Sequence, residues 1–191
     1  MVDDALAKDL DALHRPPHRL LIELERRAEE DGVPVVSRAT GRFLSTIVAA
    51  MQAHRILDVG AGYGYATLWM ALAQPGAGRI WAVEPDERRA AVARSYFQRA
   101  GEEDSIELFR TPARELLENF PHRNLDVAYV DATEAECASY LDLVVPTLKL
   151  SGLAIFNRAA EMRAFARAFL DHPALDATIL PFGIGIGARR Q

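Results

Sequence analysis

A glycine-rich stretch at residues 55–73 constrains this chain more than any other feature. It opens with a short apolar run, Ile56 to Val59, continues with glycines at the alternate positions 60, 62 and 64, and passes into apolar residues at helical spacing. This order predicts a strand, a glycine turn and a helix. Glycine permits positive φ and lets a ligand approach the bare backbone, while the helix directs its free N–H groups toward that ligand. The stretch therefore predicts a nucleotide-binding element.

The spacing of the glycines narrows the choice of ligand. The dinucleotide fingerprint is G-x-G-x-x-G, whereas this turn is G-x-G-x-G and follows Asp58. The turn is not followed by Lys-Ser or Lys-Thr, which excludes a P-loop. An acid directly before the glycines suits a cationic ligand better than a pyrophosphate, and S-adenosylmethionine (SAM) carries a sulfonium and an ammonium. On this stretch alone, an ordinary tight turn between a strand and a helix is the alternative.

Apolar runs along the rest of the chain predict an α/β protein. Strands are expected at four further places before the last helix, at 79–84, 105–109, 125–130 and 152–156. Helices are expected between and after them, at 85–100, 113–119, 134–150 and up to residue 170. Two last strands, 176–180 and 184–188, are joined too tightly for a helical crossover and should pair as an antiparallel hairpin. The chain thus predicts a doubly wound, mostly parallel, seven-stranded Rossmann-like sheet with helices on both faces and a C-terminal antiparallel hairpin.

The first 54 residues predict a helical lid on this core. Apolar residues recur at helical spacing over 3–14, 19–30 and about 37–51, with prolines between these stretches. We therefore divide the single domain into a lid, residues 1–54, and a SAM-binding core, residues 55–191. His14 and His18 could line a site from the lid, although exposed loop histidines are the more ordinary interpretation.

Composition limits the partners and the compartment. The 191 residues carry a formal net charge of −5, which disfavours binding of nucleic acid through the overall field. The chain lacks a run of about 18 apolar residues, so no membrane span is expected. The acidic N-terminus lacks an apolar signal core, and the single cysteine, Cys137, permits no internal disulfide. Both features fit a reducing cytoplasm.

The polar residues that follow the strands converge on one edge of the predicted sheet. Ligands of doubly wound sheets bind at the carboxyl ends of the strands. Asp58, Glu84, residues 111–114, Asp131 and Asn157 all fall at that edge, together with the glycine turn. Glu84 lies about 20 residues after the glycines, where a carboxylate accepts hydrogen bonds from ribose hydroxyls. This supports an adenosine ligand without choosing between SAM and a nicotinamide cofactor.

The glycine stretch resembles motif I of the class I SAM-dependent methyltransferases. From about residue 20 onward the chain is similar to the catechol and caffeoyl-CoA type O-methyltransferases. The stretches that carry this likeness are Val33-Pro34-Val35, Gly41-Arg42-Phe43-Leu44, Gly64-Tyr65, Gly78-Arg79-Ile80, Leu125-Asp126-Val127, Asp131-Ala132, Leu150-Ser151-Gly152 and Leu180 to Gly185. The resemblance implies O-methylation of a small phenol- or catechol-like acceptor, and it suggests a homodimer.

The resemblance also implies a cofactor site. The backbone of Gly60 and Ala61 would face the methionine part of SAM, and Glu84 would hold the ribose hydroxyls. Asp131 would lie near the transferred methyl group. The full set of implied cofactor residues is Asp58, Gly60, Ala61, Gly62, Gly64, Tyr65, Glu84, Pro85, Ala113, Arg114 and Asp131.

The sequence departs from the family pattern at the implied metal site. The family holds Mg²⁺ through two aspartates and an asparagine, and a lysine assists deprotonation of the acceptor. Asp131 and Asn157 occupy two of the ligand positions, but Phe156 stands in place of the second aspartate and Glu134 in place of the lysine. Phenylalanine does not ligate a metal, so the use of Mg²⁺ is doubtful.

Three interpretations remain open. Glu134 replaces the missing carboxylate in an altered metal site, or the enzyme works without metal with Glu134, Asp131 or a lid histidine as general base, or cofactor binding persists without catalysis. The metal-independent enzyme is preferred. Glu134 and Asn157 also have ordinary structural interpretations, as a first-turn acid and a helix cap. Two functions compete with a methyltransferase: a cofactor-binding protein of the same fold without catalysis, and a nicotinamide-dependent oxidoreductase.

Overall fold

A single seven-stranded sheet runs through the molecule. The computed structural model describes residues 4–190, so residues 1–3 of the predicted lid and residue 191 of the predicted core lie outside the described range. The strands are β1 (Arg55–Val59), β2 (Arg79–Val83), β3 (Ile106–Phe109), β4 (Leu125–Val130), β5 (Leu148–Phe156), β6 (Leu175–Ile179) and β7 (Gly185–Arg189). Their order is β3-β2-β1-β4-β5-β7-β6. The first five strands are parallel, and β7 runs antiparallel between β5 and β6. The predicted sheet and its C-terminal hairpin are confirmed.

Helices cover both faces of the sheet. They are α1 (Asp4–Leu13), α2 (Arg19–Glu30), α3 (Arg38–Met51), α4 (Tyr65–Ala71), α5 (Glu87–Ala100), α6 (Ala113–Glu118), α7 (Glu134–Val144) and α8 (Arg163–Leu170). Successive strand residues alternate between the two faces, so Ile56 packs in the core beneath α2 to α5 while Leu57 packs in the core beneath α6 to α8. Within residues 4–190, no helix is long and apolar enough to cross a membrane.

The N-terminal helices pack directly on the helix that follows the glycine turn. The apolar face of α2 shares one core with Leu68 and Trp69 of α4. Gly41 of α3 allows this close packing, because a Cβ there would lie 2.5 Å from the indole nitrogen of Trp69. Ser37 begins α3 by accepting a hydrogen bond from the amide of Thr40 at 3.1 Å. The residues predicted as a lid therefore contribute to the core, and the division of the chain at residue 54 stays a prediction.

Three element boundaries differ from the sequence prediction by two residues or more. The helix expected at 134–150 ends at Val144, and β5 begins at Leu148, four residues before its expected start. Pro146 explains the difference, because it lacks the N–H that would continue the α-helix; the chain makes one 3-10 turn, Val145–Thr147, and becomes extended at Leu148. The helix expected at 85–100 begins at Glu87, since the Asp86 side chain caps it by accepting from the amide of Arg89.

Candidate active site

The carboxyl ends of β1, β2 and β4 bring the predicted site residues together. Backbone hydrogen bonds continue past the strand ends: Gly60 N–H donates to Val83, and Asp131 N–H donates to Val59, at 3.0 and 2.9 Å. The amide of Asn157, after β5, donates to Val130 at 2.9 Å. The glycine turn, Asp131 and Asn157 therefore lie side by side on one rim.

The glycine turn has the conformation that its sequence predicts. Gly60, Gly62 and Gly64 have φ values of +90°, +56° and +82°. A Cβ on Gly60 would lie 2.1 Å from the carbonyl oxygen of Asp131, so the turn contacts the next strand end without any side chain between them. At Gly62, a Cβ would meet nothing within 4 Å. The backbone at Gly62 is therefore open to a ligand, as a cofactor cradle requires.

Glu84 is fixed against this turn by two backbone amides. One carboxylate oxygen accepts from Gly62 N–H at 2.8 Å and the other accepts from Asp86 N–H at 2.9 Å. The side chain is buried, with an exposed fraction of 4%. Each carboxylate oxygen has two lone-pair directions, so each retains acceptor capacity for the hydroxyl of a ligand.

Asp58 lies beneath the turn and out of contact with solvent. One of its oxygens accepts a hydrogen bond from the Thr67 hydroxyl at 2.5 Å, and the other has no hydrogen-bond partner among residues 4–190. Burial raises the pKa of Asp58 to about 7, the nearby charges of Asp131 and Glu84 add to the rise, and the Thr67 bond opposes it. An unpaired, buried acceptor beside the glycine turn fits a cationic ligand there, in agreement with the sequence argument.

Asp131 is engaged by its two neighbours across the rim. Its Oδ2 accepts from the Asn157 side-chain amide at 3.0 Å, and its Oδ1 accepts from the Arg158 guanidinium at 2.9 Å. The carboxylate is about a quarter exposed. Arg158 was not among the predicted site residues; its position directly after Asn157 places it near this rim but does not reveal its ion pair with Asp131.

The remaining predicted cofactor residues are placed around the rim with different surroundings. The Arg114 side chain is exposed and donates to Glu118 of the same helix at 2.9 Å. Ala113 begins α6 and is half-buried, Pro85 is exposed, and Ala61 is buried in the turn. No ligand contact follows from these positions alone, so their cofactor roles stay predictions.

Tyr65, another predicted cofactor residue, directs its side chain to the N-terminal helices. Its hydroxyl donates to Glu25 of α2, which also receives the Arg38 guanidinium at 2.6 Å. Burial is the largest cause that raises the pKa of Tyr65, and the hydrogen bond to Glu25 adds to it. The lid histidine His18 caps α2 by accepting from the amide of Leu20 at 3.2 Å.

Comparison with known proteins identifies the family. A family model for O-methyltransferases matches residues 15–162. The chain belongs to the O-methyltransferase family. This confirms the predicted family and the predicted enzyme class, a SAM-dependent O-methyltransferase, and it gives no support to a nicotinamide-dependent oxidoreductase.

Individual members of the family resemble the chain over different lengths. It is 27% identical to a catechol O-methyltransferase of Mycobacterium tuberculosis over 160 residues, which covers 76% of this chain and 73% of that protein. It is 32% identical to a caffeoyl-CoA O-methyltransferase of Populus kitakamiensis over 121 residues, or 61% of this chain, and it spans about half, 52%, of that protein.

Solved structures share the fold over almost the whole chain. A methyltransferase from Geobacter sulfurreducens is 25% identical and superimposes with a TM-score of 0.87, covering 100% of this chain and 98% of that one. The O-methyltransferase TomG from Streptomyces achromogenes, solved in complex with SAM, is 19% identical and has a TM-score of 0.85, covering 98% and 96% of the two chains.

The residues at the implied metal site do not fit a divalent cation. Phe156 is fully buried, with its ring centroid 4.8 Å from that of Phe165 and 5.4 Å from that of Phe169. Asp131 and Asn157 are bonded to each other, and a guanidinium already lies on Asp131. Over the described part of the chain, no group of three or more His, Cys, Asp or Glu side chains is arranged to hold a metal.

Glu134 does not replace the missing carboxylate of the implied metal site either. It begins α7, and its Oε1 accepts from the amide of Ala164 in the first turn of α8 at 3.1 Å. The carboxylate thus serves the start of a neighbouring helix, where the free N–H groups and the helix dipole favour an acid. A catalytic role for Glu134 stays a prediction. Of the groups predicted as the general base, Glu134, Asp131 or a lid histidine, Asp131 is the one that the structure places with its carboxylate on the rim.

Proposed function

We propose that this O-methyltransferase transfers the methyl group of SAM to an oxygen of a small phenol- or catechol-like molecule. The observation that carries the proposal is the Glu84 carboxylate, which the amides of Gly62 and Asp86 hold against the glycine turn. A carboxylate oriented in this way is ready to accept hydrogen bonds from two neighbouring hydroxyls, as a ribose presents them.

Each part of the rim has a separate task in the proposed reaction. SAM, when bound, supplies an electrophilic methyl group on a sulfonium. Glu84 accepts from the ribose hydroxyls, and the open backbone at Gly62 admits the cofactor. Asp58 adds negative potential beneath the cofactor once it ionises, at about pH 7 and above. Asp131, in contact with Gly60, borders the place where the acceptor oxygen and the methyl group align for in-line displacement.

The names of similar proteins support the same substrate class. The relatives from Mycobacterium tuberculosis and Populus kitakamiensis are named for catechol and caffeoyl-CoA, both of them compounds with hydroxyl groups on an aromatic ring. TomG was solved in complex with SAM. We extend the aromatic acceptor and the cofactor from these proteins to this chain.

A calorimetric titration of S-adenosylhomocysteine (SAH) tests the cofactor site. Wild-type protein should bind SAH in EDTA, and Glu84→Gln should weaken binding by about 10- to 100-fold, because hydrogen bonds to a charged carboxylate contribute about 1.5–3 kcal/mol. Glu87→Gln is the matched control, since Glu87 is an exposed acid of α5 that pairs with Arg110. It should leave SAH affinity unchanged.

The same titration separates the competing functions. Absence of SAH binding by the wild type would refute the proposed function and leave the fold alone. If SAH binds, methyl transfer from isotope-labelled SAM is measured next with a panel of phenols, catechols and aromatic acids. We expect the wild type to methylate members of this panel. Binding without transfer to any of them would favour the cofactor-binding protein that has lost catalysis.

We also propose a homodimer that works in the cytoplasm. Leu6, Leu13 and Ile22 expose 51%, 76% and 50% of their surface on α1 and α2, which suits an interface between two copies. The one cysteine of the sequence, Cys137, is buried and unpaired, as is usual in a reducing compartment. Sedimentation equilibrium checks the assembly, and a monomer at micromolar concentration would contradict it.

A further inference from the structure

The loop after β5 places an arginine where the family pattern implies a cation. The guanidinium of Arg158 donates to Asp131 Oδ1 at 2.9 Å and approaches the carbonyl oxygen of Ala132 at 3.4 Å. Asn157 donates to the other oxygen of Asp131. The two remaining residues of the implied metal site are therefore joined to each other, and the positive charge beside them belongs to Arg158.

The backbone holds Arg158 in a conformation that few residues adopt. Its φ is +55° and its ψ is 22°, in the left-handed region that non-glycine residues rarely occupy. The amide of Ala160, two residues later, donates to the carbonyl of Gly183 at 3.1 Å, and this bond ties the loop to the turn between β6 and β7. The arginine is thus fixed from two sides, while about half of its side chain is exposed.

An aromatic pair stands beside the same loop. Phe182 directly precedes Gly183, and 54% of its surface is exposed. Its ring meets that of Phe43 of α3 edge to face, with the centroids 5.7 Å apart. The two loops touch at Gly183, where a Cβ would lie 3.9 Å from the Cα of Arg158. An exposed phenyl ring and a half-exposed guanidinium on two touching loops match a ligand that is aromatic and carries a negative charge.

We propose that Arg158 takes the place of the divalent cation and selects an aromatic acceptor whose reacting oxygen is already anionic, a carboxylate or an acidic phenol. The inference rests on the proposed methyl transfer from SAM to an oxygen of a small aromatic molecule, and it changes the preferred acceptor from a neutral hydroxyl to an anionic oxygen. It also accounts for both departures from the family pattern, because a metal and a lysine serve to ionise a hydroxyl and an anionic acceptor needs neither.

The proposed step balances without a base. The anionic oxygen, paired with the Arg158 guanidinium, forms a bond to the methyl carbon. The carbon–sulfur bond breaks, and its electron pair goes to sulfur. The negative acceptor and the positive sulfonium give a neutral ester or ether and neutral sulfide, so no proton has to be transferred. Asp131 does not act as a base in this step; it orients the guanidinium of Arg158 through their ion pair.

Benzoate and benzamide are suitable probes, because they have nearly the same shape and differ in charge. In EDTA, the protein–SAH complex should bind benzoate about tenfold more tightly than benzamide, a preference that a single guanidinium–carboxylate pair is able to supply. Arg158→Asn should abolish the preference, since asparagine tolerates positive φ but carries no charge. Arg158→Lys should keep part of it, and Arg167→Gln, which changes an exposed arginine of α8, should keep all of it.

Three further readings decide the proposal. SAH affinity should change by less than about threefold in Arg158→Asn, which shows that the variant is folded and its cofactor site intact. Mg²⁺ should leave benzoate affinity unchanged, and transfer of labelled methyl groups to aromatic acids should proceed in EDTA. Four results would overturn the inference: equal binding of the two probes, failure to bind either probe, a benzoate preference retained by Arg158→Asn, or stronger benzoate binding with Mg²⁺. In each case, SAH binding by the wild type would still support the proposed function. Absence of SAH binding by the wild type would overturn both the inference and the proposed function.

Discussion

The buried acid beneath the glycine turn makes stability depend on pH in a direction that Asp58→Asn should remove. Burial raises the folded-state pKa of Asp58 from 3.8 to about 7, so the folded protein keeps a proton that the unfolded chain releases. Between these two values the unfolded state binds fewer protons, and the free energy of unfolding falls as pH rises. Above about pH 7 the decline from this group levels off.

The size of the effect follows from the shift. A rise of about three pKa units corresponds to about 4 kcal/mol over the whole titration. Between about pH 5 and about pH 8 this amounts to about 2–3 kcal/mol, because part of the loss occurs below pH 5. In Asp58→Asn the amide oxygen still accepts from the Thr67 hydroxyl but does not titrate. The variant should therefore exceed the stability of the wild type by about 1–2 kcal/mol near pH 5 and by about 4 kcal/mol near pH 8, so the difference widens by about 2–3 kcal/mol over this range.

Urea denaturation of both proteins at several pH values measures this difference directly. All other titrating groups are common to the two chains, so their contributions cancel when the free energies of unfolding are subtracted. Asp104→Asn, the same substitution at an exposed aspartate, is measured alongside as the matched control. A wild-type minus Asp58→Asn difference that is constant from about pH 5 to about pH 8 would refute the argument that Asp58 is protonated by burial.

Two further predictions concern packing, and both are measured as changes in the free energy of unfolding. Gly64→Ala should lower the free energy of unfolding by about 2–4 kcal/mol, because its Cβ would lie 2.4 Å from the ring of Phe97 and its φ is +82°. Gly76→Ala is the control: a Cβ there would meet no described atom within 4 Å, so the free energy of unfolding should change by less than about 0.5 kcal/mol. Phe156→Ala should cost about 3–5 kcal/mol and leave SAH affinity nearly unchanged, whereas Phe182→Ala, at an exposed ring, should cost less than about 1 kcal/mol. A small loss in Gly64→Ala, or a loss of SAH binding in Phe156→Ala, would contradict these assignments.

Much of the fold was predictable because its signals are local. The parallel strands read as short, mostly apolar runs, and the short connection around Pro181 excludes a helical crossover between the last two strands. The glycine turn was predictable for the same reason, since positive φ at three alternate positions leaves a direct mark on the sequence. The boundary between α7 and β5 was wrong because the apolar pattern continues across it, and Pro146 was given too little weight.

The chemistry of the site was only partly predictable because it depends on contacts between distant residues. The place of Glu84 at the turn follows from its spacing, but the burial that shifts the pKa of Asp58 depends on how α4 covers it. Glu134 could be read as a base, a ligand or a first-turn acid, and its bond to Ala164 appears only when α7 and α8 are packed together. Arg158 shows no periodicity or motif, so its ion pair with Asp131 was visible only in the folded chain.

The aromatic packing around Phe156 has a consequence for how this protein can change over evolutionary time. The single substitution Phe156→Asp, which would supply the family's acidic ligand, would place a carboxylate against the rings of Phe165 and Phe169, with Arg158 still paired with Asp131. A carboxyl group buried there without a partner costs about 2–7 kcal/mol, a large part of the about 5–15 kcal/mol that keeps a typical domain folded. An acidic ligand at position 156 therefore requires changes in the surrounding aromatic residues as well.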